Sequence, residues 1–357
     1  MNQEFKYAVI IGRFQPFHNA HLAVVEKGLE VAEEVIVVIG SVGGAPSIRN
    51  PFTYEERRQM IRGAITNPRI KIVGVRDYFY SDNAWLSDVQ AKTDRFISEG
   101  DSVAMLGSYK DGSSYYLNLF PQWEFMPVKT EHIGGTEIRD KLFDLEPVLT
   151  DWEAKPTNAP TPAVLHGWFA DKVPPFTLEH LESWVRTPLY AQLCKEAGFL
   201  RKYKEAWSAA PFPPVFVTAD AIVTCSGHVL LVQRKMNPGK GLYAVPGGFI
   251  KQTETIKAAA LRELREETGI RLDKQILESA IVDSHVFDHP DRSMRGRTIT
   301  HGFHFKLKDG KLPEVKGGDD AAKAVWVPYW DVMKMEDQFF EDHLHIVQFF
   351  VGAQGER

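Results

Sequence analysis

KYAVIIGRFQPFHNAHLAVVEKGLEVAEEVIVVIGS, residues 6–41, sets two short runs rich in Val and Ile on either side of a segment with helical spacing. Runs such as KYAVIIG and EEVIVVIGS suit strands buried on both faces, and HLAVVEKGLEVAEE repeats its apolar residues at the helix period. Strand, helix and strand in that order predict one crossover unit of a parallel sheet. The alternation continues outward. YEERRQMIRGAI reads as a helix, IKIVGVRD as a strand and AWLSDVQAKTDRFISEG as a helix. SVAMLGSY and WEFMPVK read as strands, and TEIRDKLF as a last short helix. Residues 1–150 are therefore expected to form a doubly wound α/β domain.

Residues 151–212 break the pattern. KPTNAPTP is Pro-rich and reads as a linker, and the stretch from Leu178 to Trp207 is helical in pieces, with Pro188 as an interruption. Residues 213–357 have a different texture. FVTADAIVTCSGHVLLVQRK predicts two strands joined at Ser226-Gly227, and YAVPGGF a further strand. A helix over 255–268 follows, then strands at AIVDSHVFDH, THGFHFKLKD and AVWVPYWDV. MEDQFFEDHLHIVQFFVG has an apolar face at helical spacing. This half predicts a mixed α+β domain.

The chain has 357 residues, a length for two ordinary domains, with 44% hydrophobic and 25% charged residues. A net charge of -5 argues against a nucleic-acid surface, which needs a basic stripe. The two cysteines, Cys194 and Cys225, form no CxxC or Cys/His cluster, so neither a disulfide framework nor a structural zinc site is indicated. The N-terminus lacks the basic and apolar regions of a signal peptide, and no apolar run is long enough to span a membrane. A cytoplasmic location is expected. The sequence leaves homo-oligomerisation open.

GRFQPFHNAHL follows the first strand, where an open parallel sheet exposes its ligand crevice. His18 and His21, three apart at a helix entry, can meet phosphate oxygens together with the helix N-terminus. Gly12 lets backbone come close to a nucleotide, and Arg13 adds a planar cationic fork. GGTEIRDKL places Thr136 and Arg139 at the start of the last helix of this half, facing the same crevice.

GGFIKQTETIKAAALRELREETGI, residues 247–270, crowds Glu263, Glu266 and Glu267 onto one helix face. Three like charges there cost energy unless a cation sits among them, and hard divalent ions take oxygen ligands. Gly247 and Gly248 allow a loop to pack tightly on that helix, and Gly269 is placed to end it.

The spacing Gly248, Glu254, Arg262-Glu263-Leu264, Glu266-Glu267, Gly269-Ile270 resembles the Nudix box at every defined position. The resemblance implies a mixed sheet between helices and hydrolysis of a nucleoside diphosphate linked to another group. It implies that Glu263, Glu266 and Glu267 bind Mg²⁺ or Mn²⁺, and that Gly247, Gly248, Glu254 and Arg262 shape the loop-helix motif. Glu266 and Glu267 are the catalytic candidates, with the general base unassigned. DHPDRSMRGRTIT resembles a loop of Nudix domains that act on ADP-ribose.

The HxxH and TEIR motifs resemble the HxGH nucleotidyltransferase superfamily, with Ala20 where that family has Gly and GGT in place of a Ser-rich stretch. GRFQPFH, NPFTYEER and SDNAWLSDVQ resemble the nicotinamide mononucleotide (NMN) adenylyltransferases of the archaeal-like type. That implies a Rossmann-like domain joining NMN and ATP into NAD, with Mg²⁺. His18, His21 and Arg139 would be catalytic. Gly12, Arg13, Phe14, Thr136 and Arg139 would bind the nucleotide phosphates, and Asn83 and Trp85 the NMN. Both halves in one chain resemble the bifunctional NMN adenylyltransferase/Nudix hydrolases. The implied partners are ATP, NMN, NAD and ADP-ribose, with no nucleic acid and no membrane. The alternatives are a nucleotidyltransferase for another phosphate ester, a Nudix domain acting on another nucleoside diphosphate derivative, and an ADP-ribose or NAD sensor.

Overall fold

The structure, a computed structural model, describes residues 3–108, 116–130, 133–145 and 161–352. The Pro-rich linker at 155–160, the boundary at residue 150 and the run KDGSSY (110–115) lie outside the described residues. Contacts divide the chain into two compact units, Met1–Ala197 and Gly198–Arg357.

The first unit is built on β1 (Phe5–Gly12), β2 (Ala32–Ile39), β3 (Ile70–Gly74), β4 (Val103–Gly107) and β5 (Glu124–Pro127), in the order β3-β2-β1-β4-β5. Every pairing is parallel. The continuous apolar runs explain why: alternate residues of each strand enter cores on opposite faces. Ala8, Ile10, Val35 and Val37 pack on one side, and Val9, Ile36, Val38 and Met105 on the other. Helices α1 (Asn19–Val31), α2 (Tyr54–Ala64), α3 (Asp82–Thr93) and α4 (Gly135–Asp144) supply the covering layers. Helix α3 is shorter than expected from its sequence, ending at Thr93.

Three further helices follow: α5 (Pro162–Phe169), α6 (Pro175–Trp184) and α7 (Pro188–Ala206). Pro188 starts α7 instead of interrupting a helix, because proline's missing N–H costs nothing at the first helical position. Leu165, Phe169, Leu181, Trp184 and Tyr190 enter the same apolar core as Val35, Phe52 and Met60.

The second unit holds a mixed sheet. Its strands are β6 (Phe216–Cys225), β7 (His228–Arg234), β8 (Tyr243–Ala244), β9 (Gly247–Phe249), β10 (Ile281–Phe287), β11 (Thr298–Lys306) and β12 (Ala321–Pro328). The main order is β10-β11-β6-β7-β12, with β8 on β7 and β9 on β6. Only the β11–β6 pair is parallel among these. The β6–β7 turn takes positive φ at Ser226 (46°) and Gly227 (73°), as a tight hairpin requires. Ala259, Ala260 and Leu264 of α8 (Ile256–Thr268) pack on Ala219, Ala221 and Val223. Two short helices, α9 (Lys274–Ser279) and α10 (Tyr329–Val332), flank the sheet.

The C-terminal helix is shorter than its apolar periodicity suggests. Helix α11 runs only over His343–Gly352. Before it the chain is extended: the Phe340 N–H donates to the Tyr243 carbonyl at 2.9 Å, and Glu341 sits at φ 46°. A backbone bond to β8 outcompetes one more helical turn.

Candidate active sites

The strand order puts the topological switch between β1 and β4, at the carboxyl end of β1. The loop from Gly12 to His18 lies there. Phe14 adopts φ 52° and buries its ring, and a Cβ on Gly12 would stand 3.0 Å from that ring. Glycine at 12 thus makes room for the Phe14 ring. The Gln15 side chain pins the loop: its Nε2 donates to the Phe52 carbonyl at 2.9 Å and its Oε1 accepts from the Phe52 N–H at 3.0 Å.

His18 caps α1, and its N–H donates to His21 Nδ1 at 3.4 Å. The two imidazoles stack with centroids 3.5 Å apart. They therefore present a double ring at a helix N-terminus, where the peptide dipoles favour an anion. Ala20 is buried between them in sequence.

Arg139 comes from the opposite wall. Its Nη1 donates to the Gln15 carbonyl at 2.7 Å and its Nη2 to Thr136 Oγ1 at 3.0 Å. Burial draws its pKa down to about 10, and the positive charges of Arg13 and Arg49 add to this. The charges of Arg13 and Arg49 thus repel that of Arg139, a cost that a nearby anion would relieve. Arg13 is exposed, whereas Arg139 is buried. Arg49 was not singled out from the sequence, since nothing in SIRNP announces a distance to Arg139.

Trp85 is half-buried on α3 and meets Tyr116 (6.0 Å) and Phe120 (5.9 Å) edge-on. Tyr116 Oη donates to the Ile11 carbonyl at 3.3 Å, which ties this aromatic group to the end of β1. Asn83 is exposed in the first turn of α3.

Arg57 stands on α2 and faces the interior. It is buried, and it donates to the carbonyls of Arg13, Gly40, Ser41 and Thr53. It fastens the β1 loop to β2 and α2 from inside.

In the second unit, Thr255 caps α8 and Gly269 ends it at φ 59°. Arg262 is the hub of its acidic face. Nε and Nη2 grip Glu254 at 2.9 and 2.6 Å, and Nη1 reaches Glu263 at 2.6 Å and Glu266 at 2.8 Å. Those hydrogen bonds hold the Glu254 carboxyl down to about 2. Glu267 is buried and accepts from the Gly247 N–H at 3.0 Å. Burial, with Glu263 and Asp220 adding repulsion, pushes its pKa up to about 8. Gly247 is held to glycine by backbone, since a Cβ there would stand 2.0 Å from Asp220 Oδ1 and 2.9 Å from the Ala219 carbonyl, and a Cβ on Gly248 would stand 2.5 Å from Glu263 Oε1 and displace that carboxylate.

Among the described residues, no three His, Cys, Asp or Glu side chains are gathered into a ready metal cage. Glu263 and Glu266 turn to Arg262 instead. The donor chemistry nonetheless fits a hard divalent cation: all oxygen, clustered, with one guanidinium shared among Glu254, Glu263 and Glu266 and a buried Glu267 beside them.

The segment 288–300 is held in place. Arg292 pairs with Asp342 through two 2.9 Å bonds, both residues buried, and the Met294 N–H donates to Glu341 at 2.9 Å. Asp220, buried against Gly247 and bonded to Thr300 Oγ1 at 2.7 Å, also belongs here. Sequence reasoning missed Asp220, Arg292 and Asp342 because their partners lie 50 to 80 residues away.

Comparison with known proteins agrees with this division. Residues 9–141 match the cytidylyltransferase-like family and residues 215–350 the NUDIX domain family. The nicotinamide/nicotinic acid mononucleotide adenylyltransferase of Acinetobacter baylyi is 38% identical over 146 residues, which cover 40% of this chain and 77% of that protein. The ADP-ribose pyrophosphatase of Methanocaldococcus jannaschii is 36% identical over 132 residues, 37% of this chain and 70% of that one. The crystal structure of a bifunctional NMN adenylyltransferase/ADP-ribose pyrophosphatase from Francisella tularensis, complexed with AMP and a manganese ion, superposes with a TM-score of 0.86 at 35% identity. The match covers 98% of this chain and 100% of that one. The chain belongs to the bifunctional NMN adenylyltransferase/ADP-ribose pyrophosphatase family, a cytidylyltransferase-like half followed by a Nudix half.

Proposed function

We propose that the first unit transfers AMP from ATP to NMN, giving NAD and pyrophosphate, and that the second hydrolyses ADP-ribose to AMP and ribose 5-phosphate. What supports this most is the pairing, in one chain, of the Arg139–His18–His21 crevice with the carboxylate face behind Gly247-Gly248.

In the first reaction an NMN phosphate oxygen attacks the α-phosphorus of ATP in line, and pyrophosphate leaves. No protein nucleophile is needed, so catalysis is positioning and charge stabilisation. Arg139 is fixed by Gln15 and Thr136 before substrate arrives, so its charge meets the transition state without reorganising. Arg13, His18 and His21 bind the remaining phosphate oxygens. Phe14 orders the loop that carries them. Trp85 and Asn83 hold the nicotinamide, Trp85 through its attraction for a cationic ring.

In the second reaction water attacks one phosphorus of the diphosphate. Glu263, Glu266 and Glu267 would hold Mg²⁺ or Mn²⁺, which supplies Lewis-acid stabilisation and a more acidic water. Glu254 keeps Arg262 paired when Glu263 and Glu266 turn away from it. The choice of ADP-ribose also rests on coherence, since a half that destroyed NAD would undo the work of the other.

A product assay by chromatography tests this on the full chain with Mg²⁺. NAD is expected from NMN plus ATP, AMP and ribose 5-phosphate from ADP-ribose, and no cleavage of NAD. No NAD from the first mixture would overturn the first assignment. Cleavage of NAD but not ADP-ribose would overturn the second.

A further inference from the structure

The helices after residue 161 reach both motifs of the first unit. The turn between α5 and α6 ends on α1. There the Asn19 N–H donates to the Lys172 carbonyl at 2.9 Å, and Asn19 Nδ2 donates to the Asp171 carbonyl at 3.0 Å. Asn19 is the first residue of α1 and directly follows His18. Both bonds therefore hold the turn of helix that carries His18 and His21. The α5–α6 turn is itself closed on α5: the Lys172 N–H donates to the Phe169 carbonyl at 2.9 Å, and Lys172 Nζ to that of Trp168 at 3.2 Å.

The same α5 meets α4. The Lys141 ammonium, two residues beyond Arg139, stands 3.6 Å from the centroid of the Trp168 ring. Trp168 is 45% exposed, so burial alone does not account for a large ring there. Leu165 and Phe169 share an apolar core with Ile138 and Leu142 of α4, and Tyr190 Oη donates to the Leu142 carbonyl at 2.8 Å. Helix α1 follows β1 and α4 follows β5, two positions away in the sheet, so the two helices have no common connection in the chain. Helix α5, with its turn, touches both. A triphosphate that spans His18, His21 and Arg139 depends on the spacing of those helices, and a displacement of about 1 Å can cost about a hundredfold in rate.

We propose that α5 and the turn after it brace the nucleotidyltransferase site, with Asn19 and Trp168 as positioning residues that fix the distance between the His18–His21 pair and Arg139. Each acts through the helix it holds and not on the reacting phosphates. The assignment deepens the reading of the first unit as an adenylyltransferase and rests on it for the triphosphate.

The test uses full-length Asn19→Ala and Trp168→Ala, with Trp168→Phe as the conservative variant. Calorimetry measures binding of α,β-methylene-ATP, whose bridging carbon prevents transfer, and chromatography measures NAD formed from NMN and ATP. Each alanine variant is expected to bind the analogue at parental stoichiometry with Kd raised about threefold, and to lower kcat for NAD formation about tenfold. Trp168→Phe keeps a ring for Lys141 and should recover most of the lost kcat. Parental Kd and kcat in both alanine variants would overturn the brace. So would a loss of binding stoichiometry that matches the fall in kcat, because that reports unfolded sites and not displaced ones.

Lys141→Met checks the Trp168 contact independently. If the two side chains act together, Trp168→Ala combined with Lys141→Met is no worse than either change alone, and additive losses would count against the contact. A parent that binds the analogue but forms no NAD would sink the choice of acceptor alone. The change in Kd would then still decide the brace, with an unchanged Kd overturning it.

Discussion

Two arginines show how far burial decides what a charge does. Arg139 and Arg57 are both buried, and desolvation draws each pKa down to about 10. Arg57 donates to four backbone carbonyls, so it is satisfied without a ligand. Arg139 has two partners on one side and the charges of Arg13 and Arg49 pressing on it. The first is therefore expected to serve stability and the second, as proposed above, an anion. Arg57→Met should destabilise the first unit by roughly 3 kcal/mol, because it strands buried carbonyls. Urea unfolding followed by circular dichroism measures this, and a midpoint equal to the parent's would refute it. Arg139→Lys keeps the charge but loses the fork, and should lower kcat for NAD formation by about a hundredfold. A lysine variant with parental kcat would mean that Arg139 contributes charge alone.

At the scale of elements, the acidic helix is positioned from both ends. Thr255 caps its start, and a strap at residues 316–318 closes its end. There the Lys316 N–H donates to the Thr268 carbonyl at 2.8 Å and the Gly318 N–H to that of Glu267 at 3.1 Å. Gly269 turns the chain at φ 59°, a conformation that costs a side chain energy. Gly269→Ala is expected to cost about 1 kcal/mol of stability. It should also lower ADP-ribose hydrolysis, because Glu266 and Glu267 sit in the last turn. Thermal melts and initial rates on the same sample check this, and an unchanged melt would show that the αL cap is not under strain. The start of α2 is fixed in the same local way. TYEE carries a capping box, in which the Glu56 N–H donates to Thr53 Oγ1 at 3.3 Å and the Thr53 N–H to Glu56 at 2.7 Å. The C-terminal segment misled by its periodicity, since its apolar residues Phe339 and Phe340 serve an extended strand-like stretch and only the later ones a helix.

At the scale of the molecule, the two reactions are expected to be separable. Glu266→Gln should reduce ADP-ribose hydrolysis by about a hundredfold and leave NAD formation at the parental rate. His21→Ala should do the reverse. Rates of both reactions on each variant check this, and a variant that lost both would show that the two activities are coupled. Removing divalent ions with a chelator should stop ADP-ribose hydrolysis, and added Mg²⁺ or Mn²⁺ should restore it. Hydrolysis that persists after chelation would refute a metal role for the three glutamates. No helix among the described residues is long and apolar enough to cross a membrane, and both cysteines are buried and outside any disulfide.

The sequence by itself determined the class of each half and the motifs of each site, because these are local properties. Strand–helix alternation, a pair of His residues at a helix entry and glutamates at helical spacing all lie within about thirty residues, where period and chemistry can be read directly. Tertiary structure alone decided the rest. It sent Arg57 inward, brought Arg13 and Arg49 to bear on Arg139, and laid Asp220 against Gly247 and Phe249 against Phe216. It also packed the helices after residue 161 into the core of the first sheet. Each of these joins residues far apart in the chain, and which distant groups meet depends on how whole layers pack to bury apolar surface. No local pattern records that.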